Sequence, residues 1–341
     1  MRSGIQKNPY IIAEVGLSHE GSLGIAKNMV DKIAKCKVNA VKFQFHIAEE
    51  ESTKNEKFRS KFSNQDKSRY DYWKRTSFKI NEWKFLSEYS KKKGLDFICS
   101  PFSLKSVEIL KKLKIDKWKI ASGEVSNILI LDKICKNSKQ EIILSTGLTN
   151  QNELDAIMKF LKNKKNEISI LQCTSEYPSK LNNINYSLIN FFKKRYNVKS
   201  GISDHSGNLN SLKYAISIGA DILEAHICYS KDFFGPDSSS SITFEELEEL
   251  TKFKTDYLNM INFKNLSFTK LNQSQKIMRK LFNQNLIYKE NFLQGHKISI
   301  NDINHKKIHN GLSGLDVLKI INKKLNKKVY KNNLIKLSDF K

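Results

Sequence analysis

The sequence predicts an α/β fold, a (β/α)8 TIM barrel followed by a small β-rich domain. Three observations carry that prediction. Short, almost wholly apolar runs recur eight times before residue 230, each ending in polar or small residues. An amphipathic stretch usually follows each run. After Asn262 this alternation stops and the chain changes character. Continuous apolar runs indicate strands buried on both faces, as in a parallel sheet. At 341 residues the chain has room for a barrel of about 250 residues and an appendix.

The runs are Ile11 to Gly16, Ala40 to Gln44, Phe97 to Phe102, Trp118 to Glu124, Glu141 to Gly147, Ser169 to Ser175, Ser200 to His205 and Ile222 to His226. Between the first two, Ile25, Met29 and Ile33 fall at helical spacing. Asn150 with Glu153 forms a capping-box pattern opening a helix over Leu154 to Leu161, and Thr243 with Glu246 opens another. The stretch from His46 to Phe78 is long and charged for a barrel connection, which suits a lid or substrate loop but equally a surface insertion. The predicted domains are therefore a barrel over 1–262, a linker over 263–275 and a small domain over 276–341. That tail shows turns at Gln294-Gly295 and Asn310-Gly311 and a helical pattern over Val317 to Leu325. Some 65 residues make a marginal domain that gains from packing on a partner.

Composition narrows the function. The net charge of +24 invites a nucleic-acid reading. The lysines, however, are scattered through helices such as Phe160 to Asn166, and no arginine-rich patch interleaved with aromatics exists. An anionic substrate profits from such a field, and no nucleic-acid partner is expected. Five cysteines, odd in number and without a CxxC pair, form no disulfide framework and point to reduced thiols in a cytoplasm. Glu14 interrupts the first apolar stretch, so no signal peptide is expected. No run reaches the roughly 20 residues of a membrane span.

Barrel chemistry sits at the C-terminal strand ends. The residues found there include Glu14, Ser18 and His19; Lys42 and Gln44; Ser100 and Phe102; Lys119, Ser122 and Glu124; Ser145 and Thr146; Thr174, Ser175 and Tyr177; Asp204 and His205; Glu224 and His226. Lys42 and Lys119 interrupt otherwise apolar strands, where an unpaired ammonium is costly. An anionic ligand, or Glu14 and Glu124, must compensate them; a structural ion pair is the competing explanation. His205 and His226 each end an apolar run, and Gly235-Pro236-Asp237 follows the second. Two imidazoles with a carboxylate in reach suit a divalent cation with open positions, although a buried histidine can simply hydrogen-bond to a neighbour.

In this order the motifs resemble the sialic acid synthase family, enzymes that build nonulosonic acids from phosphoenolpyruvate. The matching segments are AEVGLSHEG, AVKFQ, SPF, KIASGE, ILSTG, QCTSEYP, GISDHSG, EAH and GPD. The resemblance covers about 9–262 and resumes in the tail, where RKLF, QGHKISINDI and NGLSG are similar to the antifreeze-like (SAF) domain. It implies that His205 and His226 hold a catalytic Mn2+ or Mg2+, with Asp237 near the metal and the sugar hydroxyls. It implies that Lys42, Lys119, Ser122, Ser145 and Ser203 contact phosphoenolpyruvate. Glu14, Gln44, Glu124 and Tyr177 would hold the sugar and shape the reacting centre, with Phe102 and Ser175 also on the substrate.

Several positions depart from the family pattern. Ser18 and Ser175 stand where asparagine is usual, Ala225 replaces a lysine, Lys231 an arginine and Gln172 a frequent histidine. Lys307, Ile308 and His309 occupy an Arg-Pro-Gly element, whose arginine in relatives enters the neighbouring protomer's site and touches the N-acyl group. The resemblance therefore implies a homodimer with exchanged tails, and a sugar side altered more than the phosphoenolpyruvate side. The competing expectations are another phosphoenolpyruvate-condensing barrel, making a 3-deoxy-aldulosonic acid phosphate, and a non-catalytic carbohydrate-binding protein.

Overall fold

The computed structural model of the chain describes residues 8–58, 62–63, 65–136, 138–261, 268–308 and 310–341. Eight parallel strands follow one another around a closed sheet: β1 (Tyr10–Gly16), β2 (Ala40–Phe45), β3 (Asp96–Pro101), β4 (Lys117–Ile120), β5 (Ile142–Ser145), β6 (Ile168–Cys173), β7 (Lys199–Asp204) and β8 (Ile222–Cys228). β1 pairs with β8, Ile12 opposite Glu224 and Glu14 opposite His226, and this seam closes the barrel. The predicted TIM-barrel fold is thus present. The fifth and sixth strands end two residues before their expected ends, and the largest difference is in the fourth, which stops at Ile120 because the Glu124 N–H donates to the Ala121 carbonyl at 2.8 Å and turns Ser122–Glu124 into a 3-10 helix.

Helices cover the outside. The one over Leu23–Lys35 is capped by Ser22 and buries Ala26, Met29, Val30 and Ile33 against the sheet. Ile25 is only half-buried. Asn150 and Glu153 form the expected capping box at the head of Gln151–Leu161, and Thr243 and Glu246 do the same for Phe244–Ile261. The main core lies between this helical ring and the outward residues of the strands, with Val41, Phe43, Phe97, Trp118, Leu144 and Ile202 all fully buried.

Inside the barrel, side chains alternate in layers. Ile12, Ala40, Ile98, Ile143, Leu171 and Ile222 pack as one apolar layer. Two residues further along the same strands, and so on the same face, come Glu14, Lys42, Ser100, Ser145, Cys173 and Glu224. Four residues further come Gly16, Gln44, Phe102, Gly147, Ser175 and His226. The period of two carries six strands from a packed core to a polar mouth.

The chain divides into two compact units, Met1–Asn262 and Phe263–Lys341. In the second, Asn285–Tyr288 pairs antiparallel with Ile303–Lys306, over a core of Leu286, Tyr288, Ile298, Ile320, Leu325, Val329 and Ile335. A helix over Gln273–Phe282 spans the expected boundary between linker and tail; residues 262–267 lie outside the described residues. The helix predicted over Val317 to Leu325 is shorter, Val317–Ile320. Asn322 is left-handed (φ 65°), a conformation asparagine tolerates and a helix cannot continue through.

Candidate active site

The polar layer is an ion cluster. Lys42 Nζ lies 2.8 Å from Glu14 Oε2 and 3.7 Å from Glu224 Oε1, and Lys119 Nζ lies 3.5 Å from the same Glu224 oxygen. Lys119 also donates to Ser145 Oγ at 2.6 Å and to the Ile120 carbonyl at 3.3 Å, while Ser203 Oγ donates to Glu224 Oε1 at 3.0 Å. All six residues are buried. Burial works against both ammoniums, but Lys42 is pushed up by Glu14 and then Glu224, whereas Lys119, whose carboxylate partner is looser, is held down. Glu224 is lowered: burial raises it, and Lys119 and Lys42 outweigh that.

This corrects one pairing. The partner of Lys119 is Glu224, not Glu124. Glu124 sits in the 3-10 turn after β4, accepts from Asn127 Nδ2 at 2.9 Å, and is raised by burial and by Glu51, against Asn127 and His46.

Beyond the cluster opens a cavity of about 490 Å3. Its walls include Gln44, Phe102, Ser122, Glu124, Ser175, Tyr177, His226 and Asp237. Gln44 joins the levels by donating to Glu14 Oε1 at 2.9 Å. Gly147 makes a close passage: a Cβ there would lie 2.3 Å from Ser175 Oγ and 2.9 Å from Ser122 Oγ, so only glycine leaves both hydroxyls in place.

The histidines meet at this mouth. The rings of His205 and His226 are 5.5 Å apart, and Tyr177 stacks on His205 at 4.1 Å with its hydroxyl 3.3 Å from Nε2. His205 Nδ1 lies 3.0 Å from the Thr174 carbonyl, which fixes that nitrogen as the N–H and leaves Nε2 with its lone pair. Burial, then His226, pulls His205 down to about 3, so the ring is neutral. His226 Nδ1 is buried without a hydrogen-bond partner, 3.9 Å from Asp237 Oδ2. His205 Nε2, which only the Tyr177 hydroxyl approaches among the described residues, and the unpartnered His226 Nδ1 are the nitrogens that would hold a divalent cation. Among the described residues no group of three or more His, Cys, Asp or Glu side chains could hold a metal, so the protein offers two imidazoles and a carboxylate short of contact.

Comparison with known proteins gives the family. The model of the NeuB family matches residues 29–262. The chain belongs to the NeuB family. It is 30% identical to N,N'-diacetyllegionaminic acid synthase of Campylobacter jejuni, over 97% of this chain and 99% of the relative. It is 28% identical to N-acetylneuraminate-9-phosphate synthase of Homo sapiens, over 73% and 70% respectively. Among solved structures, N-acetylneuraminic acid synthetase of Leptospira borgpetersenii superposes with a TM-score of 0.69 at 29% identity, covering 80% of this chain and 90% of that one.

For this NeuB-family chain the site residues expected from sequence fall into three places. Glu14, Lys42, Lys119, Ser145 and Ser203 form the buried cluster. Gln44, Phe102, Ser122, Glu124, Ser175, Tyr177, His226 and Asp237 line the cavity, with His205 behind Tyr177. Lys307 is in the second unit, its ammonium 5.9 Å from the ring centre of Phe282; His309 lies outside the described residues. His19 is turned away into the core, stacked on Phe78 at 4.4 Å.

Sequence reasoning gave no role to Glu224 or to the wall built by the segment after β2. His46 is sandwiched between Trp73 (4.8 Å) and Phe102 (4.2 Å), with its ring nitrogens 2.7 Å from Glu51 Oε2 and 3.1 Å from Gln44 Oε1. Arg75 forks onto Asp66 and Glu20, and Tyr72 donates to Glu20 Oε1 at 2.8 Å, tying the segment to the turn after β1. The described part of His46–Phe78 is thus a packed wall carrying Phe58, Phe62, Tyr72 and Trp73 into the cavity. The signal for Glu224 was available: Ile222, Glu224 and His226 share one face of a strand.

Proposed function

We propose that this chain condenses phosphoenolpyruvate with the open-chain aldehyde of an N-acylated amino sugar and water, releasing phosphate and a nonulosonic acid. The observation that carries the reading is the cluster of Lys42, Lys119, Ser145 and Ser203, two ammoniums and two hydroxyls brought together in a water-poor barrel interior. A multiply charged anion is the substrate that such a group stabilises, because charges interact more strongly where water is excluded. Membership of the NeuB family and the synthases named above support the same reading.

In the reaction, C3 of phosphoenolpyruvate forms a bond to the aldehyde carbon, whose oxygen becomes a hydroxyl. Water adds at C2, and the tetrahedral centre loses phosphate by breaking the C2–O bond to leave a ketone. Lys42, Lys119, Ser145 and Ser203 hold the phosphate and carboxylate, with Ser122 beside them. Glu14, fixed by Lys42 and Gln44, orients the reacting centre. Glu124, raised by burial, takes or places the proton of the attacking water. Tyr177, Gln44, Phe102, Ser175 and Asp237 bound the acceptor. His205 and His226 would hold Mn2+ or Mg2+, which when bound supplies a Lewis acid for the aldehyde oxygen.

The second unit enters the same proposal as the antifreeze-like domain of an exchanged homodimer, Lys307 approaching the acceptor bound by the other copy. Its helix over Gln273–Phe282 supports this: Ile277, Met278, Leu281 and Phe282 are all exposed. Lysine lacks the planar two-pronged donor of arginine, so contact with the acyl group is looser. No helix among the described residues is long and apolar enough to cross a membrane, and we place the enzyme in the cytoplasm with its phosphorylated substrate.

Phosphate release is the test, measured with phosphoenolpyruvate and a panel of N-acetylmannosamine, its 6-phosphate and 2,4-diacetamido-6-deoxy hexoses, with mass spectrometry of the product. Metal-dependent turnover of one member is expected. No turnover of any amino sugar, with turnover of a simple aldose phosphate, would overturn the reading. A chain ending after Asn262 that is a fully active monomer would overturn the exchanged dimer.

A further inference from the structure

Glu224 is the one member of the ion cluster to which the scheme above gives no part. Its Oε1 accepts from Ser203, but the two ammoniums stand off at 3.5 and 3.7 Å. Its Oε2 is buried with no hydrogen-bond partner among the described residues. A charge-assisted contact closes to about 2.7–2.9 Å, and this barrel makes ion pairs of that length elsewhere: Lys42 to Glu14 at 2.8 Å, although Glu14 Oε2 too lacks a well-aligned hydrogen bond, and Lys117 to Glu141 at 2.9 Å. The longer pairs outside the cluster, such as Lys199 to Glu141 at 3.7 Å, involve a partly exposed lysine, whereas Glu224 stands off from two ammoniums that are as buried as it is.

The donor count agrees. An ammonium carries three N–H groups. Lys42 has one tight acceptor in Glu14, and Lys119 has Ser145 and a longer carbonyl contact. Each keeps donor capacity that no close acceptor among the described residues fills. The four charges nevertheless balance, two ammoniums against Glu14 and Glu224.

We propose that Glu224 is the resident counter-charge of the anion site. It keeps two buried ammoniums charged and together while substrate is absent. It then yields them to the incoming phosphate or carboxylate, because its own hold on them is loose. Glu224 is thus a positioning residue, acting through Lys42 and Lys119. Its charge lowers affinity for the very anion the site is built for, and in exchange the vacant barrel carries no naked pair of cations. This rests on the assignment of those lysines to the substrate anion.

The test uses inorganic phosphate as the probe on full-length, chelator-treated protein, by calorimetry and thermal shift. Glu224→Gln removes one negative charge and keeps the hydrogen-bonding shape. It is expected to bind phosphate at least about fivefold more tightly than wild type. It should melt lower without phosphate and gain more from its addition. Glu224→Asp, which draws the charge back by one methylene, should bind with intermediate affinity. Folded Glu224→Gln that binds phosphate no more tightly than a binding-competent wild type overturns the inference and leaves the substrate reading standing. Wild type that binds neither phosphate nor phosphoenolpyruvate overturns both. If Glu224→Gln folds only with phosphate present, the anion is replacing the lost charge, as proposed. If it does not fold at all, Glu224→Asp decides: tighter binding than wild type supports the inference, equal or weaker binding overturns it.

Discussion

Two layers of one barrel, a single pleat apart, are built on opposite principles. The layer of Ile12, Ala40, Ile98, Ile143, Leu171 and Ile222 holds no polar side chain and packs as ordinary core. The next layer along the same strands contains Lys42 and two glutamates, joined by Lys119 from β4, all buried. The first stabilises the fold by removing apolar surface from water. The second costs desolvation of four ions, which ion pairs in proteins often fail to recover. Anion binding, as proposed above, is what would account for such a cluster in the middle of a barrel. The contrast teaches that the position of a strand residue along the barrel axis, more than its burial, separates support from chemistry.

Mutations can break that contrast. The largest effect belongs to the mouth. His205→Ala or His226→Ala should lower turnover by roughly a thousandfold, the several kcal/mol a Lewis acid contributes, with the melting temperature nearly unchanged. Near-normal turnover by either variant would remove the histidines from the chemistry.

The lysines should affect both ledgers. Lys42→Met strands Glu14, which Lys42 approaches to 2.8 Å, and should cost about 3–5 kcal/mol of stability in urea titrations. Lys119→Met breaks a looser contact and should cost less stability, while raising the KM for phosphoenolpyruvate or lowering kcat about as much. Equal stability losses with normal kinetics would make both lysines structural.

A smaller effect is expected for Glu124. Its carboxyl is raised above 4.5 by burial, so as a base it loses activity on the acid side at a pH above the ordinary glutamate range. The sign for stability is opposite to that of a salt-bridged acid. A raised carboxyl favours the fold below the unfolded value, and that contribution is lost as pH rises through the raised one. Glu124→Gln should flatten the acid limb of the rate profile; an unchanged limb assigns it to another group. Least affected in activity should be Ile143→Ala, which loses about 2–5 kcal/mol of stability by opening a core cavity while kcat and KM of the folded enzyme hold.

The barrel was legible because strands buried on both faces leave long apolar runs, and the lysines stood out against them. What could not be read was which charges meet. Glu124 is five residues from Lys119 and was the natural partner, yet Glu224, more than a hundred residues away, takes that place. Pairing across a barrel is set by tilt and register, and sequence distance carries neither. The wall of His46, Tyr72 and Trp73 was unreadable for another reason. Its aromatics are spread through a charged segment without a single period, and only the Arg75 anchor to Asp66 and Glu20 shows that they face one cavity. The tail helix was cut short by a turn over Ile321 (ψ 137°) and left-handed Asn322, a local backbone preference hidden inside an apolar pattern.

The seam between β1 and β8 sets Glu14 opposite His226. During synthesis, then, the first strand must wait for the last. At about 5–20 residues per second, the ribosome needs roughly 10–40 s to deliver the second half of the site after the first has emerged. Until then Lys42 has Glu14 but not Glu224 as a neighbour, and the nascent barrel is an open sheet with an exposed edge. Catalytic competence in this chain is therefore a late event, reached only when the circle of strands is complete, and its first appearance in a translation reaction would time ring closure.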